Sequence, residues 1–423
     1  MHAMKYLATI YCIGFSLLTM AETQISHIVV NQRWPWSEKV DVDFVLSGEA
    51  SDVDVSATWD AHPEPYRLGT LFGVAPGQRR LTWDPSSSPF RGQTLTGFTV
   101  AVSNAAASAH TYLVVDLVNG GYEFMAEPPA GGWAAEHKSS KMVFRRIPAG
   151  TYTLGEEKAA FTNVFGLSDS SATTYANLWN RRAVTFTSDF YVGVFKYTEA
   201  QHECLNSGTA GSRFKPKKMS YDSFRGGLDA ADWPSKGYTV GADSVVAKLR
   251  AKAGAGLVVD LCEEEQWEVA ARAGTTTILP NGVTAAGDYD ALTNKLGEIA
   301  AWYGTVGSEE AAVGRFDPNN WGLYDVVGLV GEWMLDAAVK QGGNSALPRN
   351  GLGDSTDPTG VDLSAYGSEQ RIFRTASANY ADVALYNIIP CSRQMKAHSD
   401  ESSCTTRFCI HLKPLGSLTF EGQ

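Results

Sequence analysis

Between Trp321 and Trp333 the chain reads WGLYDVVGLVGEW, which sets Asp325 and Glu332 seven residues apart among Leu323, Val326, Val327, Leu329 and Val330. A stretch this apolar is bound for a core, and a carboxylate taken into a core must be met by hydrogen bonds there. By residue chemistry alone, Asp325 and Glu332 are expected to cap turns and accept from backbone amides. Whatever this chain folds into has to satisfy both acids inside one packed segment.

Charge and the N-terminal pattern bound the rest. The 423 residues carry a formal net charge of −11 with no basic stripe to offset it, which argues against nucleic acid as a partner. Lys5, the apolar run from Tyr6 to Leu18 and the small-residue ending TMA before Glu22 have the layout of a secretory signal peptide over residues 1–21. Cleavage near Ala21 is expected, and Cys12 would leave with the signal. No later segment approaches the run of about eighteen apolar residues that a membrane span needs, so no span is expected after signal removal. The mature protein is expected to be secreted, periplasmic or held at the cell surface, with a bacterial source plausible. Cys204, Cys262, Cys391, Cys404 and Cys409 remain. Most exported cysteines pair, an odd count leaves one over, and the connectivity stays open.

VDVDFVL alternates Val40, Val42 and Phe44 with Asp41 and Asp43, and VDVSATW repeats the pattern with Val53, Val55, Ala57 and Trp59. GFTVAV and TYLVVDL follow, with turn-rich APGQ and DPSSSP between the strands. Period-two alternation between turns predicts a small all-β sandwich, immunoglobulin- or fibronectin-like, over residues 22–118. It carries no catalytic constellation and is expected to be a spacer or adhesion module. Residues 119–140 are rich in Gly, Pro and Ala without an apolar period and are expected to form a linker. A second domain is expected over 141–413, with 414–423 as a tail, and no period of 20–50 residues recurs.

The segments of this second half fall in a telling order. MVFRRIPAGTYTLGEE reads as strand, turn, strand; DFYVGVFKYTEAQHECLNSG as a strand leading into a helix capped by Thr198; LCEEEQWEVAARAG as a second helix. NNWGLYDVVGLVGEWMLD follows, and RIFRTASANY and TTRFCIHL stand as closing strands. In this order they resemble the sulfatase-modifying factor family, which includes the formylglycine-generating enzyme and has an α+β, C-type-lectin-like fold. The resemblance covers residues 141–413. In the second helix Glu263, Glu264 and Glu265 occupy the first turn, where the helix dipole favours acids, Trp267, Ala270 and Ala271 share a face, and Gly274 suits a left-handed end. Cys262 stands where the family has its capping Thr. The neighbouring carboxylates oppose the acidification that a helix N-terminus gives a thiol, so a reactive Cys262 is not expected.

In the family the segment resembling GLYDVVGLVGEW wraps a calcium ion. Carried over position by position, Asp325 and Glu332 would supply side-chain oxygens, and Gly328 and Val330 backbone carbonyls, a donor set that calcium accepts. Gly328 and Gly331 would let the backbone curl to present them. Calcium is therefore expected as a structural cofactor, although the family has Asn where Leu329 stands and Trp where Gly331 stands. A second family site near EIAAWYGTVG has Ala300 and Ala301 in place of an Asn ligand and is expected to be lost.

The formylglycine-generating enzyme oxidises a substrate cysteine with two copper(I)-binding thiols separated by four residues. At the matching positions this chain has Ala381 and Tyr386. Cys404 and Cys409 share that separation but belong to the final strand, where an odd offset points them to opposite faces. Copper is not expected, and structural disulfides involving Cys391 are. His202, Glu203 and Cys204 are helix neighbours that diverge, and His398 and His411 lack metal-ligand spacing. Nucleophile elbows and phosphate loops are absent from the sequence.

These features favour an exported, non-catalytic binding protein whose partner is an extracellular or envelope protein or a glycan. Its ligand contacts are expected in the closing region, through Asn379, Tyr380, Tyr386 and Arg393, amphipathic types that binding surfaces favour. In relatives this region lines the substrate groove. The alternatives are an oxidase of the formylglycine-generating type acting on a cysteine of a substrate protein, and an envelope scaffold whose work is done by the sandwich.

Overall fold

The computed structural model describes residues 23–33, 36–227, 237–254, 257–282, 289–302, 305, 311–340, 346–347, 354–358, 370–375, 389–401 and 404–412. Two three-stranded antiparallel sheets form the first unit. One orders the strands Gln24–Gln32, Val40–Ser47 and Gly77–Trp83, the other His62–Val74, Ser51–Trp59 and Thr99–Ala105. Val42, Phe44 and Leu46 from the first meet Val53, Val55 and Ala57 from the second in a shared core. The acids that alternate with them face outward, where Asp43 meets its cross-strand partner Arg80 at 2.6 Å and Asp41 meets Arg33 at 2.9 Å. This is the expected all-β sandwich.

Its expected last strand lies elsewhere. Tyr112–Asp116 pairs antiparallel with Lys141–Ile147 and joins a six-stranded sheet ordered Val258–Leu261, Phe408–His411, Phe190–Gly193, Lys141–Ile147, Tyr112–Asp116, Tyr122–Met125. Tyr112, Leu113, Val114 and Val115 are all buried, Leu113 and Val115 in one core and Tyr112 and Val114 in another. A strand covered on both faces is continuously apolar, and YLVV carries that signature where VDVDFVL alternates. The expected linker 119–140 is likewise built into the sheet. Gly120 and Gly121, both with left-handed φ near 80°, turn the chain from Tyr112–Asp116 back into Tyr122–Met125, and Asp116 Oδ1 accepts from the Val118 and Asn119 amides.

The six-stranded sheet is buried on both sides in its middle. Phe190 and Val192 point into one core and Tyr191 into the other, as alternation along a strand requires. Helix Val245–Ala253 covers one face with Val245, Val246 and Leu249, while helix Glu264–Arg272 packs the other with Trp267, Val269 and Ala270. A four-stranded sheet ordered Arg393–Ala397, Gln370–Arg374, Gly331–Ala337, Cys404–Thr405 stands beside it, together with a small sheet containing Gly150–Leu154 and Arg182–Phe186. The expected helix cap forms: Thr198 Oγ1 accepts from the Gln201 amide at 3.0 Å, and Gln201 Oε1 accepts from the Thr198 amide at 3.1 Å, closing a capping box for Glu199–Ser207. In the second helix the cap falls on Glu263 instead of Cys262. The result is the α+β fold that the resemblance implied.

A buried charge cluster joins the two units. Asp52, on the outward face of Ser51–Trp59, is bonded by both terminal nitrogens of Arg146, by His110 Nδ1 at 2.8 Å and by the Gly73 amide at 2.9 Å. Arg146 Nε reaches Asp189 Oδ2 at 2.6 Å, and His110 Nε2 lies 3.2 Å from Asp54. Burial alone would push the Asp52 carboxyl up, yet its bonds to His110 and Arg146 bring it down to about 2. Burial likewise opposes the charged form of His110, and Asp52 and Asp54 overcome it and raise that pKa above 6.5. The signs give two pH limits. The Asp52 contribution is complete above its unfolded value of 3.8 and lost as pH falls toward 2, whereas the His110 contribution is complete below 6.5 and lost as pH climbs through its raised folded value. Asp52→Ala leaves Arg146 and His110 buried without their carboxylate and should cost about 3–5 kcal/mol in a denaturant melt at neutral pH. In His110→Gln the alkaline loss of melting temperature attributed to His110 should disappear.

Candidate functional site

The loop preceding strand Gly331–Ala337 is tied down by Asn319. Its Oδ1 accepts from the Trp321 and Leu323 amides, both at 3.0 Å, and its Nδ2 donates to Ala270 O at 2.8 Å and Ala271 O at 3.0 Å, serving carbonyls near the end of helix Glu264–Arg272. Gly328 has φ +74°, and a Cβ there would come within 2.5 Å of Ala301 O, because the Leu329 amide donates to that carbonyl at 2.7 Å. Gly331 has another role: it lies in the strand, and a Cβ there would meet Phe373 at 2.9 Å and Thr375 O at 3.0 Å. The curl expected of both glycines thus belongs to Gly328, while Gly331 makes room between strands. Leu329 takes φ +64°, a conformation that Asn adopts more readily than a branched apolar residue.

Gly328 O, Val330 O and Glu332 do converge, and a side chain from another segment stands where they meet. Lys196 Nζ lies 3.1 Å from Gly328 O, 2.5 Å from Val330 O and 3.0 Å from Glu332 Oε1. Lys196 follows strand Phe190–Gly193 and precedes the Thr198 cap, so a strand end and a helix start fix its backbone. The other Glu332 oxygen accepts from Trp267 Nε1 and from Arg407 Nε, each at 3.1 Å. Arg407 spends its remaining nitrogens on Gly193 O at 2.7 Å, Val194 O at 2.9 Å and Tyr324 O at 2.6 Å. Lys196, Glu332 and Arg407 are completely buried.

Two carbonyls and a carboxylate offer the nitrogen acceptors only, a setting that suits an ammonium with its three N–H groups; burial lowers the Lys196 pKa, and the facing Glu332 carboxylate opposes that shift. Burial raises Glu332, and Arg407 and Lys196 outweigh it, leaving the carboxyl lowered and ionised. Asp325 Oδ2 accepts from the Gly314 amide at 2.7 Å, whereas Oδ1 has no hydrogen-bond partner among the described residues and burial raises its pKa. The expectation that Asp325 binds a backbone amide therefore holds for one oxygen. Calcium does not fit these residues as placed. It requires six to eight oxygens at roughly 2.3–2.6 Å, and the point facing Gly328 O, Val330 O and Glu332 is filled by an ammonium. At the second family position, Ala301 O accepts from the Leu329 amide and Ala300 O from Thr305 Oγ1 at 3.0 Å.

The acids of EEEQWEVAAR serve more than the helix dipole. All nine residues of Glu264–Arg272 are buried, and arginines from two distant strands and from the helix itself meet the carboxylates. Arg374 pairs with Glu264 at 2.8 Å and Glu268 at 3.1 Å, Arg272 with Glu268 at 2.8 Å and Glu156 at 3.1 Å, and Arg182 with Glu265 at 3.4 Å. Such a helix, polar in sequence yet buried all round, is legible only once its arginines are placed.

The thiols do not assemble at a surface. Cys404 and Cys409 lie in strands of different sheets and in separate cores. Cys409 Sγ instead lies 2.8 Å from Cys262 Sγ, both fully buried, and burial pushes the Cys409 thiol well above its ordinary range. Cys391, expected in a disulfide, is buried in one of the cores and joined to none of the other cysteines described. His202 and Cys204 diverge as expected, one to Tyr197 OH at 3.2 Å and the other into the core. His398 pairs with Asp222 at 2.6 Å, while His411 is buried against Leu261 O and held down to about 4 by burial, so the two form no common site.

Asn379, Tyr380, Ala381 and Tyr386 lie outside the described residues. Arg393 begins strand Arg393–Ala397, its backbone opposite Arg374. Arg374 also donates to Pro390 O at 2.9 Å, so the chain entering residues 376–388 and the chain leaving them are fastened to each other.

The family description of a sulfatase-modifying factor enzyme 1-like domain matches residues 132–389, more than half of the chain. Among solved structures, PvdO from Pseudomonas aeruginosa is similar at 18% identity, covering 64% of this chain and 94% of its own, with a TM-score of 0.42. Variable protein 1 of Treponema denticola is similar at 17% identity, covering 66% and 97%, with a TM-score of 0.43. No curated protein matches the chain. Glu332→Gln removes the carboxylate that contacts both Lys196 and Arg407, and should lower stability by about 3–5 kcal/mol in a denaturant melt. Air oxidation of the partly unfolded protein followed by refolding should give a Cys262–Cys409 linked peptide in a non-reducing digest, and none linking Cys404 to Cys409.

Proposed function

Because the chain belongs to the sulfatase-modifying factor enzyme 1-like family, we propose that it is an exported binding protein that uses the family fold without the family's thiol chemistry. The observation that carries this is the placement of the cysteines. Copper(I) catalysis needs two soft thiolates that reach one metal and a substrate. Cys404 and Cys409 belong to separate cores, the thiol nearest Cys409 is the buried Cys262, and Ala381 and Tyr386 stand in sequence where the family has its pair.

Ligand contact falls to the closing region, through Asn379, Tyr380, Tyr386 and Arg393. Support comes from its base. The ends of residues 376–388 are clamped by Arg374 and Pro390, and Arg374 is itself locked between Glu264 and Glu268. Loops carried on a rigid scaffold present side chains without loss of the underlying fold, which suits recognition of an envelope protein or a glycan. A scaffold role for the sandwich alone fits less well, because Asp52 and Arg146 tie it into the second unit.

On a glycan array and a panel of surface proteins, the mature chain should retain a ligand whose capture falls about tenfold or more in Tyr380→Ala/Tyr386→Ala, with an unchanged melt. Copper(I)-loaded protein mixed under air with a Cys-x-Pro-x-Arg peptide should leave the cysteine unoxidised. Formylglycine that disappears in Cys404→Ser or Cys409→Ser would contradict the proposal.

A further inference from the structure

We infer that the ammonium of Lys196 performs in this chain the structural role that a bound calcium ion performs in the family's version of the loop, so that the core closes without metal. The geometry is that of an ion site with a side chain delivered into it. Two inward carbonyls one residue apart, Gly328 O and Val330 O, and one carboxylate oxygen of Glu332 surround a single nitrogen at 2.5 to 3.1 Å. That Glu332 oxygen has no hydrogen-bond partner among the described residues and faces the Lys196 charge alone, since its partner oxygen takes both Trp267 and Arg407. An α-helix or sheet would have paired those carbonyls with amides. Here a loop turned by left-handed residues at Asp325, Gly328 and Leu329 aims them inward, where each needs a donor, and Lys196 Nζ supplies it.

Charge makes the lysine and an ion exclusive. Asp325 and Glu332 bring two negative charges when ionised, and Lys196 and Arg407 two positive ones, all in a segment closed to water. A dication added to that set would stand uncompensated in a dry core beside two cations, a placement that costs far more than its oxygen contacts return. The lysine also differs from an ion in being covalently supplied. It is present at every calcium concentration, and it ties the end of strand Phe190–Gly193 to the start of strand Gly331–Ala337. A direct consequence is that the fold keeps its stability in surroundings poor in calcium.

The experiment compares the mature wild-type chain with Lys196→Ala and Lys196→Met by thermal melts in chelator and in millimolar calcium chloride, with metal content measured on the purified wild type. Wild type should carry no stoichiometric calcium and melt at the same temperature in both buffers. Lys196→Met should melt lower in both, because it fills the space without charge. Lys196→Ala should melt lower in chelator and recover part of the loss in calcium, because the vacated oxygens then take the ion. One calcium per wild-type chain, or a wild-type melt that drops in chelator and returns with calcium, would overturn the inference. So would a Lys196→Ala melt equal to wild type in chelator, or one that is lowered and indifferent to calcium. If the alanine variant fails to fold, the metal content and the paired melts of wild type decide alone.

Discussion

The ion pair between Lys196 and Glu332 is the contact on which the second unit depends. Glu332 sits at the start of strand Gly331–Ala337, which pairs with Gln370–Arg374 on one side and Cys404–Thr405 on the other. Its carboxylate gathers Lys196 from the helix-strand junction, Arg407 from the closing strand region and Trp267 from the buried helix. Three separate segments are thus fixed to one side chain of a fourth. An unpaired charge at this depth costs several kcal/mol, so each of those segments has one position that satisfies the others.

The same logic recurs twice. Around Glu264–Arg272, buried carboxylates meet Arg374, Arg272 and Arg182, and Arg374 passes the constraint on to Pro390. Between the two units, Asp52 holds Arg146 and His110. Buried pairs of this kind add little net stability compared with apolar packing, but they make misplacement expensive, and they specify how sheets and helices are registered. A chain with a loop-rich second domain gains a defined arrangement from such pins. The closing region, the proposed ligand face, is flanked by Arg374, which Glu264 and Glu268 hold.

How much of this could be read in the sequence depends on the range of each interaction. Alternation in VDVDFVL and VDVSATW is local, and it gave the sandwich strands and their inward faces. The Thr198 cap is likewise local and legible, and the structure adds the reciprocal Gln201 bond. The buried character of WGLYDVVGLVGEW was plain, as was the need of Asp325 and Glu332 for partners. What could not be seen was the identity of the partner, because Lys196 is 132 residues from Gly328 and in sequence looks like any solvated lysine ahead of a helix. For the same reason the acids of EEEQWEVAAR read as dipole partners: Arg272 ends the segment, but Arg374 and Arg182 lie far off in sequence. Two features carry local signals of their own: the unbroken apolar run of YLVV marks a strand covered on both faces, and the Gly120–Gly121 pair marks a hairpin turn in place of a linker.

Membership of the family fixes the fold and leaves the chemistry to the residues that replace the family's own. Here a cation is built into the chain at the loop, and the cysteines are divided between cores. The most direct test is a crystal structure from crystals grown in calcium, with anomalous scattering recorded. Continuous density for the Lys196 side chain between Gly328 O, Val330 O and Glu332, with no anomalous peak there, is the expected result. A calcium peak at that point, with Lys196 turned away, would contradict the account.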